Sequence, residues 1–180
     1  TTISTCAYTR AMTLKLAYRV VESREGFEVR EYEPFVSIEI DAFGDWLQAG
    51  NWAFRPLVGF ISGQNTSSSK FAMTAPVLQS TTAEGQHRVG FVLPVPADGT
   101  VPDALDSRLH VVRHARGQYA AITFRGRWSE TLFLEKAEQL KAALAKAGFT
   151  PTGSALTARN DPPWKPGFTR TNEILIPITR

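Results

Sequence analysis

Few side chains in this sequence can move protons, attack carbon or hold a metal, and those few are scattered. There are three histidines, His87, His110 and His114, and a single cysteine, Cys6. His110 and His114 stand four residues apart, which on a helix would make a metal-binding pair. The flanking Leu109, Val111 and Val112 read as strand, where that spacing separates the rings by about 13 Å at ~3.3 Å per residue. Two rings that far apart do not share an ion. One cysteine excludes an internal disulfide and any multi-cysteine metal site. There is no Gly-x-Ser-x-Gly elbow, His-Glu-x-x-His pair, Walker A loop or dinucleotide fingerprint. The acid pairs Glu31/Glu33 and Glu135/Glu138 have the spacing of exposed faces. No catalytic set emerges. On these residues alone the function stays open; what stands out is an apolar helix around Asn51–Ile61 and an aromatic, proline-rich segment at Asp161–Phe168.

The elements that must position these two segments follow from hydrophobic periodicity. Leu16–Val21, Phe27–Tyr32 and Val36–Ala42 alternate with period two and read as strands of a meander, with a turn at Arg24-Glu25-Gly26. Asn51 is placed to cap a helix whose apolar residues Phe54, Leu57, Val58 and Ile61 repeat at helical spacing. Pro56 falls after its first turn. Trp52, Ala53 and Phe60 make this helix apolar on more than one side, so it is either buried twice or forms one wall of an apolar groove. After a polar loop at Gly63–Ser69, strands are expected at Phe71–Leu78, Arg88–Leu93, Leu109–Arg113 and Tyr119–Phe124. Ser129 caps a second helix with Glu130 in its first turn. Phe133, Ala137, Leu140, Leu144 and Ala147 form its inner face, and Gly148 stops it. Strands near Thr152–Arg159 and Glu173–Ile178 close the chain.

This order, strands–helix–strands twice over, predicts an α+β fold: a distorted antiparallel β-barrel or curved sheet of two related halves with two packed helices. Residues 1–13, polar and without period, read as a flexible N-terminal tail, and 14–180 as one domain. Position 1 is Thr, so the numbering is expected to begin after a removed or truncated segment. With 43% hydrophobic and 21% charged residues the composition is globular. No apolar run reaches the ~18–20 residues of a membrane span. The net charge of +3 is spread along the chain. That argues against a nucleic-acid partner, which would call for a basic stripe interleaved with aromatics. The compartment, periplasm or cytoplasm, stays open.

Several stretches, in order, resemble the SOUL haem-binding family. They are Phe27–Pro34, Phe54–Asn65, Phe71–Val77 with its Met-Thr-Ala-Pro-Val run, Phe124–Ser129, and Asp161–Pro166 continuing to Arg170–Glu173. The resemblance covers about residues 16–180. It implies a fold similar to gyrase-inhibitor-like ligand-binding domains. It also implies non-covalent binding of haem b or another tetrapyrrole, in keeping with the absence of Cys-x-x-Cys-His.

The pocket that the resemblance implies lies between the first helix and the loop before the last strand. It carries over as cofactor-binding residues Asn51, Phe54, Arg55 and Val58 on the helix and Trp164, Lys165 and Phe168 on the loop. The aromatics and Val58 would cover the macrocycle, and Arg55 or Lys165 would pair with a propionate. No axial iron ligand is identifiable: Tyr32–Asp41 holds no histidine, and Phe54 and Val58 stand where some relatives carry methionine. His114 and Met73 are the remaining candidates, set against plainer readings as a loop histidine and a core methionine. Arg170 and Glu173 read as a local pair. The functional classes are a tetrapyrrole carrier, buffer or sensor, a tetrapyrrole-modifying enzyme, and a module for a non-haem small molecule or protein partner.

Overall fold

Alternating apolar residues build most of the chain into one sheet. The computed structural model describes residues 14–82 and 84–180, so Cys6 and the N-terminal tail lie outside the described residues. In chain order the elements are β1 Leu14–Lys15, β2 Tyr18–Arg24, β3 Phe27–Tyr32, β4 Phe35–Ala42, α1 Trp46–Ile61, β5 Thr74–Ala75 and β6 Val77–Thr81. They continue with β7 His87–Leu93, β8 Leu109–His114, β9 Gly117–Arg125, α2 Glu130–Ala147, β10 Thr150–Pro151, β11 Leu156–Arg159, a 3₁₀ turn Gly167–Thr169, and β12 Thr171–Thr179. The main sheet runs β2-β3-β9-β12-β11-β6-β7-β4-β8, antiparallel at every step, with β10 added beside β12 and a small parallel β1–β5 pair outside it.

The sheet curls but does not close into a barrel. Its two ends, β2 and β8, do not pair with each other. Both edges carry charge, Arg19, Glu22 and Arg24 on β2 and Arg113 on β8, which is how proteins keep unpaired strand edges in water. Curvature is nonetheless strong. Tyr32 on β3 and Leu78 on β6 share one cluster with Phe35, Val92, Ala121, Ala158 and Leu175. Four strand steps at ~4.8 Å would put them about 19 Å apart in a flat sheet. The alternation places this cluster on the face opposite the helices.

On the helical face each half has its own core. α2 lays Phe133, Ala137, Leu140 and Leu144 on Val29, Ala120, Ile122, Ile174 and Ile176. Its ends are the expected ones: Ser129 accepts from the Leu132 amide at 3.4 Å, and Gly148 takes the left-handed φ of 77° that a Cβ would disfavour. α1 lays Ala49, Ala53, Leu57 and Phe60 on Val36, Ile38, Ile40, Val89 and Phe91. No described helix is long and apolar enough to cross a membrane.

Three expectations change. The meander breaks after β3, because β4 pairs with β7 and β8 while β3 pairs with β2 and β9. β4 is buried along nearly its whole length and needs partners on both edges, which the β2–β3 hairpin does not supply. α1 starts at Trp46 rather than Asn51, because Asp45 Oδ1 accepts from the Gln48 amide at 2.9 Å and caps the earlier turn. Pro56 therefore sits well inside the helix. Lastly, Phe71–Met73 is not strand: Phe71 stacks on Phe60 at 5.8 Å, and pairing begins at Thr74.

Candidate functional site

A cavity of about 270 Å³ opens between α1 and the loop that follows β11. Gly50, Asn51 and Phe54 form the helical wall; Met73, just before β5, and Thr74, Ala75 and Val77 of β5 and β6 form the facing wall. Trp128, Arg159 and the loop residues Asn160–Trp164 complete it. The second apolar side of α1, with Phe54 39% exposed, is thus the wall of a groove rather than a second buried face. Packing explains how the helix presents it. Ala49, Ala53, Leu57 and Phe60 face the sheet with Val58 beside them, while Asn51 and Phe54 turn toward the cavity and Trp52 and Arg55 toward water.

The loop is held by polar contacts at its base. Arg170 donates from Nε to the Lys165 carbonyl at 2.9 Å and also to the Pro163 carbonyl, while its guanidinium lies 4.2 Å over the Trp128 ring. Lys165 Nζ meets Asp161 Oδ1 at 2.8 Å, and Asp161 Oδ2 accepts from the Thr171 amide at 2.6 Å. Burial works to raise the Asp161 pKa, but these two donors outweigh it and hold the carboxyl below its ordinary value. Asn160 Nδ2 donates to Glu173 Oε2 at 2.9 Å, and Glu173 is itself bound by Arg30 at 2.6 Å. Arg170 and Glu173 therefore do not pair with each other. Arg170 clasps the loop, and Glu173 belongs to a buried ion pair reaching across to β3.

The expected site residues divide. Asn51, Phe54 and Trp164 line the cavity; Arg55, Val58, Lys165 and Phe168 do not. Arg55 is exposed on the outer side of α1, Val58 packs against the core under that helix, and Lys165 is engaged by Asp161. Trp164 is 83% exposed and Phe168 73%, so the loop holds two aromatic rings in water, the first of them at the cavity. Met73 is neither in a strand nor in the core; it is 37% exposed and lines the cavity.

His114 is the last residue of β8 rather than a loop residue, and it is not among the cavity-lining residues. Its ring stacks on Phe35 at 4.3 Å, and its Nε2 meets both Ser37 Oγ (2.7 Å) and Glu39 Oε1 (3.1 Å). Burial works to raise the Glu39 pKa, but its bonds to His114 and Ser37 outweigh that and leave it lowered. Serine, histidine and carboxylate here do not make a nucleophilic triad. The carboxylate shares the nitrogen that would have to serve the serine, instead of holding the other one. Ser37 is also fully buried. The cluster is a structural one.

The residue that sequence reasoning missed is Arg159. It ends β11, is only 6% exposed, and lines the cavity. Its guanidinium lies 5.0 Å from the Trp128 ring centroid and 5.5 Å from that of Trp46. Among the described residues no carboxylate pairs with it and none of its nitrogens makes a hydrogen bond; Nε is buried without a partner. Burial pushes its pKa down to about 10, so it is still a cation at neutral pH. Nothing in the Leu156-Thr157-Ala158-Arg159 pattern marks this arginine as different from one at a solvated strand end.

Comparison with known proteins agrees with this architecture. Among solved structures, the EcmrR C-terminal domain superposes with a TM-score of 0.63 at 10% identity, covering 91% of this chain and 98% of that one. An uncharacterized conserved protein from Listeria innocua gives 0.64 at 14% identity, covering 87% and 93%. SAV2435 bound to tetraphenylphosphonium gives 0.51 at 12% identity, covering 85% and 93%. At such identities these likenesses establish the fold. No functionally curated protein sequence matches the chain. The sequence profile described as SOUL heme-binding protein matches residues 14–177, nearly the whole length, so this chain belongs to the SOUL haem-binding family.

Proposed function

We propose that the protein binds haem b or another tetrapyrrole non-covalently in the cavity between α1 and the Asp161–Phe168 loop, and acts as its carrier, buffer or sensor. The observation that carries this reading is an apolar, aromatic-walled cavity, in a SOUL chain, with the Trp164 ring at its edge left in water by folding. At about 270 Å³ the cavity is just below the ~300–1,000 Å³ usual for ligand sites. A macrocycle would be gripped along one edge and covered by the exposed rings of Trp164 and Phe168. Phe54 and Asn51 would meet it from α1, with Val58 supporting the helix beneath and Arg55 at the rim. Lys165 would reach a propionate only by giving up Asp161.

Burying ~400 Å² of apolar ligand surface at ~25 cal/mol/Å² yields about 10 kcal/mol gross. Association takes back several. Micromolar binding, near −8 kcal/mol, thus needs no iron–protein bond. Among the described residues Met73 is the one lining residue of an iron-ligating type among His, Cys, Met and Tyr, and a thioether is a weak ligand beside imidazole or thiolate. That favours carriage over haem-modifying chemistry. The lipophilic cation seen with SAV2435 is an unfavourable occupant here, because the buried charge at this cavity is the positive one of Arg159.

Titrating haemin into the apo-protein is expected to give a saturable one-to-one Soret difference spectrum with a dissociation constant in roughly the micromolar range. Under reductant and oxygen the band is expected to fade no faster than free haem. A featureless titration with folded protein would remove the tetrapyrrole reading, and accelerated loss of the band would turn it toward an enzyme.

A further inference from the structure

Arg159 is an electrostatic anomaly that the fold does not resolve. A buried guanidinium ordinarily has a carboxylate, because an unpaired charge away from water is costly. Here the indole rings of Trp128 and Trp46 are the compensation. Cation–π contact covers the faces of the guanidinium but leaves its N–H donors, which lie in the plane, without acceptors. The nearby acid is already committed: both oxygens of Asp161 are taken, by Lys165 at 2.8 Å and the Thr171 amide at 2.6 Å. The fork lies tight against α1, beside Gln79 Oε1, with which it makes no hydrogen bond. A Cβ at Gly50 would stand 3.2 Å from both terminal nitrogens of Arg159 and 2.9 Å from Gln79 Oε1. Only a bare helix position leaves the fork this close to α1 at the cavity wall.

We propose that Arg159 anchors an anionic group of the ligand, so that the cavity selects apolar ring compounds carrying a carboxylate or comparable oxyanion over their neutral counterparts. This rests on the placement of the ligand in this cavity, and for a tetrapyrrole the group is a propionate. The planar fork matches two carboxylate oxygens, and the low-polarity walls strengthen the contact relative to water. Arg159, not Lys165, then carries the charge recognition, because Lys165 already has its partner.

The test compares matched acid and neutral probes on the wild-type protein, on Arg159→Gln and on Arg159→Lys. Haemin is paired with haemin dimethyl ester, and anilinonaphthalene sulfonate with neutral N-phenylnaphthylamine. Wild type is expected to prefer the anion in each pair by about tenfold or more. Arg159→Gln is expected to bind both members of a pair alike, and Arg159→Lys to keep part of the preference. Equal affinities in wild type, or a folded Arg159→Gln that keeps the full preference, would overturn the anchor. Should Arg159→Gln not fold, the wild-type ratios and Arg159→Lys still decide. A preference in the naphthalene pair without any haemin binding would sustain the anchor and remove the tetrapyrrole. Failure to bind either pair would remove both.

Discussion

Replacing Phe54 and Trp164 together with alanine is expected to weaken tetrapyrrole binding by about 100-fold or more while costing only about 1–2 kcal/mol of stability. The asymmetry follows from where the rings are. In the free protein Trp164 is 83% exposed, so its truncation removes little buried area, whereas Phe54, 39% exposed, loses a partly buried ring. The aromatic contact at stake is the edge-on packing of Phe54 against Phe91 at 5.4 Å, of a kind worth ~0.5–1.5 kcal/mol beyond the area it buries. In the complex each ring would be covered, and each would contribute about 1.5–3 kcal/mol. Together that is about two to four orders of magnitude in affinity. Absorbance titration and urea unfolding of the same variant separate the two effects. Unchanged affinity in the folded variant would move the ligand away from this cavity.

The largest stability effect is expected at Glu173. Arg30, whose side chain is 4% exposed, donates to Glu173 Oε1 at 2.6 Å, and Thr123 and Asn160 donate to the same carboxylate at 3.0 and 2.9 Å. Glu173→Ala leaves the buried guanidinium with no buried carboxylate: partly exposed Glu28, the Thr123 hydroxyl at 3.2 Å and the Tyr18 ring at 4.1 Å are what remain beside it. Loss of one member of a buried pair costs about 3–5 kcal/mol. Replacing both partners with apolar residues, Arg30→Met with Glu173→Leu, is expected to recover most of that loss, since neither charge is then left unpaired. Urea denaturation at neutral pH measures both proteins. A cost under ~1 kcal/mol for Glu173→Ala would mean that Arg30 is satisfied without it.

Local pattern revealed local structure well and long-range pairing poorly. α2 was legible to its caps because the spacing of Phe133, Ala137, Leu140 and Leu144 and the Ser129 and Gly148 boundaries are all near-neighbour signals. The start of α1 was not, since Asn51 looks like a cap and yet turns to the cavity, while Asp45 takes that role one turn earlier. Alternation identified β3 and β4 as strands but held no information on partners, so their separation into two halves was invisible. Of the site, the residues carried by the family resemblance put Asn51, Phe54 and Trp164 on the cavity. Arg159 was hidden because its burial is made by Trp46 and Trp128, far away in sequence, and a strand-end arginine looks solvated until those rings arrive.

The location of the ligand is open to one direct measurement. The chain has two methionines, Met12 and Met73, so ¹³C-methyl labelling gives two signals, and Met73→Leu assigns them. Met73 lines the cavity, and paramagnetic haemin bound there is expected to broaden its methyl signal beyond detection, while a diamagnetic zinc porphyrin shifts it without loss. Saturable haemin binding that leaves the Met73 signal sharp and unmoved would place the tetrapyrrole elsewhere on the protein and contradict the site proposed here.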